Sequence, residues 1–343
     1  MCLLADIKTR NSITKFVKNK FKVVKKRLKT LKKKKFLQNL FYDLMILSLS
    51  LSKLQQKSMK GFYHISSSGL ERNDIFRSRE DFIRGMNDIA LTVLGFDISI
   101  LAFCLMSNHF HFILYGTREQ CLKFAEEYKR RCAMRMRQAY GCVQGLLNLK
   151  LQVNYIDTEQ YLENAIVYVL RNSLAAGICM IPYFYPWSSL AAYFNGGTKP
   201  RSFNLNEMSF RKRCGILKSE SPVPSHYCVD ENGIILQECY VDVKMVEGIF
   251  KHPARFLNML SRKVEGEVEI KFGIADNVSL SDQEIVTQMK ELIYKEFQKE
   301  SLSQLSMEQR LTLCSLLKKN FRAGAKQIAR ISHLPLHIVE QIV

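Results

Sequence analysis

Hydrophobic and polar positions change rhythm several times along this chain, and each change marks an element. Residues 61–69, Gly-Phe-Tyr-His-Ile-Ser-Ser-Ser-Gly, alternate and end in glycine, the mark of a half-buried strand. Over 79–94 the apolar residues Phe82, Ile83, Met86, Ile89, Ala90 and Val93 recur at helical spacing. Residues 96–106 are almost continuously apolar and predict a buried strand. Ser107-Asn108 makes a tight turn, and 109–115 return as the partner strand of a hairpin. A long helix is expected over 119–140, a fourth strand over 149–156, and a helix from Thr158 to about Asn172, closed near Gly177. The order β-α-β-β-α-β plus one helix is an α+β plan, the split βαβ or ferredoxin-like arrangement with an antiparallel sheet.

Beyond Tyr193 the rhythm stops in a stretch marked by Gly, Pro and Ser, the best boundary in the chain. This divides the sequence into a first segment at 1–58, a domain at 59–194, a linker at 195–240 and a helical region at 241–343. Helical patterns cover 241–250 and 252–263, and Ser281 with Glu284 has capping-box spacing. Residues 307–343 read as three short helices. A helix from Ala325 to Ser332, a turn at 333–335 and a second helix over 336–343 have helix-turn-helix proportions, which makes duplex DNA a candidate partner. A purely structural helical cap is the alternative.

Composition fits packed protein, with 47% apolar and 24% charged residues among 343. The most apolar run, 44–51, is short and sprinkled with serines, so no membrane span is expected. The basic leader before it is too long for a secretory signal. Ten cysteines lie scattered with no C-x-x-C pair, which points to reduced thiols in a cytoplasm. The net charge of +19 is unevenly placed. Residues 1–60 carry 17 Lys and Arg against Asp6 and Asp43, and the rest of the chain carries 34 against 30. The basicity therefore belongs to the first segment, read as a disordered extension, or as sequence upstream of the true start at Met59. An arm that grips phosphates is the functional reading.

The chemistry lies in two short spacings. In the strand reading, His109 and His111 project from one face while Phe110 enters the core on the other, forming two-thirds of a metal site. Tyr168 and Asn172 stand four apart on a helix and share a face, a nucleophile beside an amide ligand. Tyr161, seven residues earlier on that face, is a rival nucleophile. A free phenol has a pKa near ~10, so attack on phosphate at neutral pH calls for a divalent ion to neutralise charge on the phosphate. Lys129, Arg130, Arg131, Arg135 and Arg137 cluster on the helix over 119–140, either as phosphate ligands or as a solvated basic face. Neither a Walker loop nor a carboxylate-rich site is present, which disfavours nucleotide hydrolysis and attack by metal-activated water.

Four segments together resemble a known family. Met106-Ser-Asn-His-Phe-His-Phe112 is similar to the M-P-N-H-x-H signature of single-tyrosine HUH transposases, and Tyr63-His-Ile-Ser-Ser-Ser-Gly69 to their first strand. Tyr168-Val-Leu-Arg-Asn-Ser-Leu-Ala-Ala-Gly177 resembles their Y-I-x-x-N-P-V-x-A-G segment, and Pro186-Trp-Ser-Ser189 matches the P-W-S-S that follows. Ser107 and Ser173 stand where the pattern usually has proline. The REP-associated branch is the best fit, and some of its members carry a helical region after the catalytic domain. The resemblance implies that His109, His111 and Asn172 bind Mg²⁺ or Mn²⁺, imidazole favouring manganese. It implies that Tyr168 attacks single-stranded DNA beside a hairpin, forming a 5′-phosphotyrosine, and that the basic helix meets the DNA. A domesticated copy would bind DNA without cutting it. Such proteins act as monomers or homodimers.

Overall fold

Alternation at the start of the domain becomes β1 (Lys60–Ser67) in the computed structural model, which describes residues 59–67, 70, 74–141, 146, 149–196, 201–262, 268, 280–321 and 323–342. The basic first segment, 1–58, lies outside the described residues. Helix α1 (Arg79–Val93) begins at a reciprocal cap, the Ser78 hydroxyl accepting from the Asp81 amide and the Asp81 carboxylate from the Ser78 amide. The hairpin of β2 (Ile98–Leu105) and β3 (Phe110–Thr117) turns through 106–109. Helix α2 (Arg118–Tyr140) is capped by the Thr117 hydroxyl and stops at Gly141, whose φ of 68° is left-handed. After β4 (Leu151–Ile156), Thr158 caps α3 (Glu159–Leu170). Only Arg171 separates α3 from the single turn α4 (Asn172–Ala175).

The sheet runs β2-β3-β1-β4 with every neighbouring pair antiparallel. One face is aromatic: Phe110 and Phe112 meet Tyr128 of α2 edge-on at 5.1 and 5.2 Å, and Phe112 meets Phe124 at 5.3 Å. Helices α1 and α2 cover this face, and α3 packs on the other across β2 and β3. Pairing is direct across that second face, with Ser66 opposite His111 and His111 opposite Cys104.

As an edge strand, β2 would expose unpaired backbone groups. A bulge at Leu101 shifts its register, and two later segments close the open side. The Leu105 amide donates to the Trp187 carbonyl at 2.8 Å, and the Ser189 amide to Phe103 at 3.0 Å. Further along, the Asp242 amide donates to Ile100 at 2.8 Å.

The stretch 195–240, expected as a linker, is folded over most of its length and this expectation is corrected. It holds β5 (Phe203–Asn204), α5 (Phe210–Leu217) and β6 (Cys228–Val229), with Leu205, Tyr227, Val229 and Ile235 buried. Its anchor is Asn87 on α1, whose amide donates to the Gly233 carbonyl and accepts from the Ile235 amide, both at 2.8 Å. The remaining helices are α6 (Val243–Phe250), α7 (Pro253–Ser261), α8 (Asp282–Phe297), α9 (Met307–Phe321), α10 (Ala325–Ser332) and α11 (Leu336–Val339). The expected Ser281–Glu284 capping box is present at the start of α8. The last helix forms one turn, shorter than the expected 336–343, and its Val339 is buried. Residues 59–343 pack as one unit. Among the described residues no helix is long and apolar enough to cross a membrane.

Candidate metal and tyrosine centre

Strand periodicity places three histidines, not two, on the α3 face of the sheet. His109 precedes β3, His111 lies within it, and His64 of β1 sits one register step away, opposite Ile113. All three are buried. The His109 and His111 rings lie 5.0 Å apart and nearly perpendicular, and His64 stacks on His111 at 5.3 Å. From α3, Tyr168 meets His64 at 5.8 Å and His111 at 5.7 Å, edge-on to both. Tyr161 lies two turns away, its hydroxyl directed to the Val268 carbonyl at 3.4 Å.

Hydrogen bonds set the protons on these rings. The Asn108 amide nitrogen donates to the Leu70 carbonyl at 3.0 Å, which turns its oxygen toward His109 Nδ1 at 2.7 Å. His109 Nδ1–H is therefore the donor, and Nε2 keeps its lone pair. Burial pushes the His109 pKa down to about 4, although the Asn172 amide facing the ring acts in the opposite direction. Burial likewise lowers His64 to about 3 and drives His111 well down, helped by its two histidine neighbours. Near pH 7 all three rings are neutral.

His64 Nε2 and His111 Nδ1 stand 3.0 Å apart with one proton between them. With that proton on His111 Nδ1, the His111 Nε2 lone pair is exposed to a ligand; with it on His64, Nε2 of His111 carries hydrogen. The position of that proton thus decides which nitrogen of His111 keeps a lone pair. Sequence reasoning quoted this residue within the first strand without giving it a role. Its parity with His111 across an antiparallel pair was the available signal, but register is invisible until the strands are paired.

Three side chains here are candidate donors to a divalent ion. His109 offers Nε2, His111 can offer Nε2, and the buried Asn172 side chain faces His109 with its amide nitrogen unpartnered among the described residues. Among the described residues no group of three His, Cys, Asp or Glu side chains is arranged around a metal position. The set is therefore two imidazoles and an amide, neutral and incomplete, and phosphate oxygens or water would have to fill it.

The basic helix lies elsewhere. α2 covers the aromatic face, away from the histidines, and its cations are largely engaged. Lys129 pairs with Glu126 at 2.7 Å, while Arg130 and Arg131 both bind Glu127, at 2.6 and 3.2 Å. Arg135, 4% exposed, points inward to Asp88 at 2.9 Å and Asp81 at 3.8 Å. As a surface DNA contact Arg135 is corrected: it is a core ion pair. Arg137 is exposed. With Arg84 and Lys218, Arg130, Arg131 and Arg137 line a cleft of about 680 Å³.

The remaining family-like segment is structural. In 186–189, Ser189 Oγ accepts from the Phe103 amide at 3.0 Å and from the Tyr193 hydroxyl at 2.8 Å, fastening the closure of β2.

No family model matches the chain, and no curated protein matches it. Among solved structures, one described as "Structure of the REP associates tyrosine transposase bound to a REP hairpin" is similar over 41% of this chain and 82% of that chain, at 15% identity and a TM-score of 0.33. A likeness at that identity and TM-score carries no argument about what this chain does.

Proposed function

We propose that this protein is a DNA transesterase of the single-tyrosine HUH type, built on a ferredoxin-like split βαβ sheet, that cuts and rejoins single-stranded DNA beside a hairpin. The observation that carries this reading is the convergence of His109, His111, Tyr168 and Asn172 from a turn, a strand and two helices onto one patch of one sheet face. His109, His111 and Asn172 would hold Mn²⁺ or Mg²⁺. A bound divalent ion supplies Lewis-acid chemistry, neutralising charge on the non-bridging phosphate oxygens. The Tyr168 phenol oxygen forms the new bond to phosphorus, the bond to the 3′ oxygen breaks, and that oxygen leaves as a hydroxyl with the phenol's proton. The phosphodiester energy stays in the 5′-phosphotyrosine, so the released hydroxyl can reverse the step without nucleotide hydrolysis. The basic cleft beside α2 and the helices at 325–339 are the candidate contacts for duplex DNA.

The test is incubation with end-labelled single strands bearing a hairpin, in Mn²⁺, on denaturing gels. A slow, protease-sensitive band that disappears in Tyr168→Phe is expected. An undiminished adduct in that variant would move the nucleophile elsewhere, to Tyr161 first. A second reading, a DNA-binding protein that has lost cleavage, is favoured by the burial of the centre: Tyr168 is only 5% exposed and both family-like histidines 1%. It predicts a gel shift without an adduct.

A further inference from the structure

After the α4 turn the chain forms an apolar loop that lies open to water. Met180 is 92% exposed, Phe184 74% and Tyr183 53%, and Ile178 and Ile181 are exposed beside them. Large apolar side chains left in water singly need no explanation, but five within seven residues mark a contact surface.

The loop is held at both ends. Gly177, at a left-handed φ of 72°, turns the chain out of α4. The Ser173 carbonyl then accepts from the Ile178 amide at 2.9 Å and from the Cys179 amide at 3.4 Å. A 3₁₀ turn, Pro182–Phe184, carries the two exposed rings, which meet edge-on at 6.2 Å. At the far end the Tyr185 hydroxyl donates to the Leu105 carbonyl at 2.6 Å. Both rings therefore stand on a fixed backbone, and little is left to order when a partner arrives.

Two observations say what that partner is. The loop is fastened to Ser173, the residue after Asn172, so a strand with a phosphate at the candidate centre brings its neighbouring nucleotides to it. From Asn172 to Thr198 the sequence also has no charged side chain, so the loop meets an uncharged surface of its partner. In DNA that surface is the face of a base, and only an unpaired base leaves a face free for an aromatic ring. We propose that Tyr183 and Phe184 form a platform on which unpaired bases beside the cleaved phosphate stack. Every base has such a face, so the platform selects single strand over duplex without choosing among bases. This inference rests on the reading of the centre as a single-strand site.

The test uses the full chain in EDTA, so that no strand is cut, with two fluorescent probes. One is heptathymidylate, the other the same strand with its three central bases removed. Phosphate contacts are common to both, so the ratio of affinities is the measurement. The intact strand is expected to bind about tenfold tighter. Tyr183→Leu with Phe184→Leu keeps the loop apolar but removes the rings, and should bring the ratio near one. Tyr183→Trp with Phe184→Trp should preserve it. Both positions are exposed, so the unfolding midpoint should hold in each variant. A ratio near one in the unaltered protein, or a preference that survives the leucine pair, would overturn the assignment. Binding to phosphatidylcholine vesicles, or a dimer, that is lost in Met180→Ser with Phe184→Ser would give the loop another occupant and overturn it too. The covalent adduct is scored separately. An adduct without base dependence removes only the platform, and base dependence without an adduct removes only the transesterase.

Discussion

At the residue scale, the decisive detail is a single proton shared by His64 and His111 across 3.0 Å. Partners of this kind orient metal-binding imidazoles and fix their tautomers, and their loss typically weakens metal binding 10–100-fold. His64→Leu is therefore expected to lower Mn²⁺ affinity about 10–100-fold by calorimetry. His64→Gln, whose side-chain oxygen can accept from His111 Nδ1, should recover part of it. Affinity unchanged in the leucine variant would reduce His64 to packing. The same residue shows how far the sequence was legible. His109 and His111 stood out because the spacing i, i+2 is a local property of one strand, and Tyr168 with Asn172 because i, i+4 is a local property of a helix. His64 belongs to the same cluster through a pairing 47 residues away, which no local pattern encodes.

At the element scale, the alternating and helical periods located every strand of the main sheet and its three long helices, because each buries one face and repeats at its own period. What escaped were elements whose stability is borrowed. β5 and β6 have two residues each, too few to show a period, and they hold together by docking on Asn87 of α1. α2 carried the opposite error. Its row of cations reads as a nucleic-acid face, yet the positions of Arg135 and Arg137 differ by one-half turn and so do their roles. Arg135 is enclosed with Asp88 and Asp81 and lies over the Phe76 ring at 5.1 Å. Removing one partner of a buried ion pair leaves the other charge stranded, so Arg135→Ala should destabilise the fold by about 3–5 kcal/mol in urea unfolding. Arg137→Ala should leave stability within about 0.5 kcal/mol and, if the cleft meets DNA, reduce the salt dependence of binding by about one phosphate contact. Equal stability losses in the two variants would contradict this division.

At the scale of the whole molecule, the boundary expected after Tyr193 does not separate two independent bodies. Residues 201–240 return to α1, 241–242 reach β2, and Tyr240 stacks on Phe103 of that strand at 6.0 Å. The C-terminal helices then fold against each other, with Arg330 of α10 bound to Asp282 of α8 through two 3.0 Å contacts and Gln327 donating to the Leu280 carbonyl at 2.9 Å. Glycine, proline and serine along 195–224 suggested a break, but a stretch rich in turns can be folded as well as flexible when its few apolar residues find a distant surface.

The closure of β2 means that the sheet-bearing half is not a portable cassette. A chain ending at residue 194 would keep the inner closure by 187–189 and lose the outer one, leaving the Ile100 carbonyl and one face of Phe103 open at the bulge. Open edges recruit other edges. Light scattering should find such a shortened protein self-associating where residues 59–343 remain dispersed, and equal behaviour would show the outer closure to be dispensable. Whatever exchanges this sheet-bearing body with other tails, by recombination or by design, must carry the strap across β2 along with it.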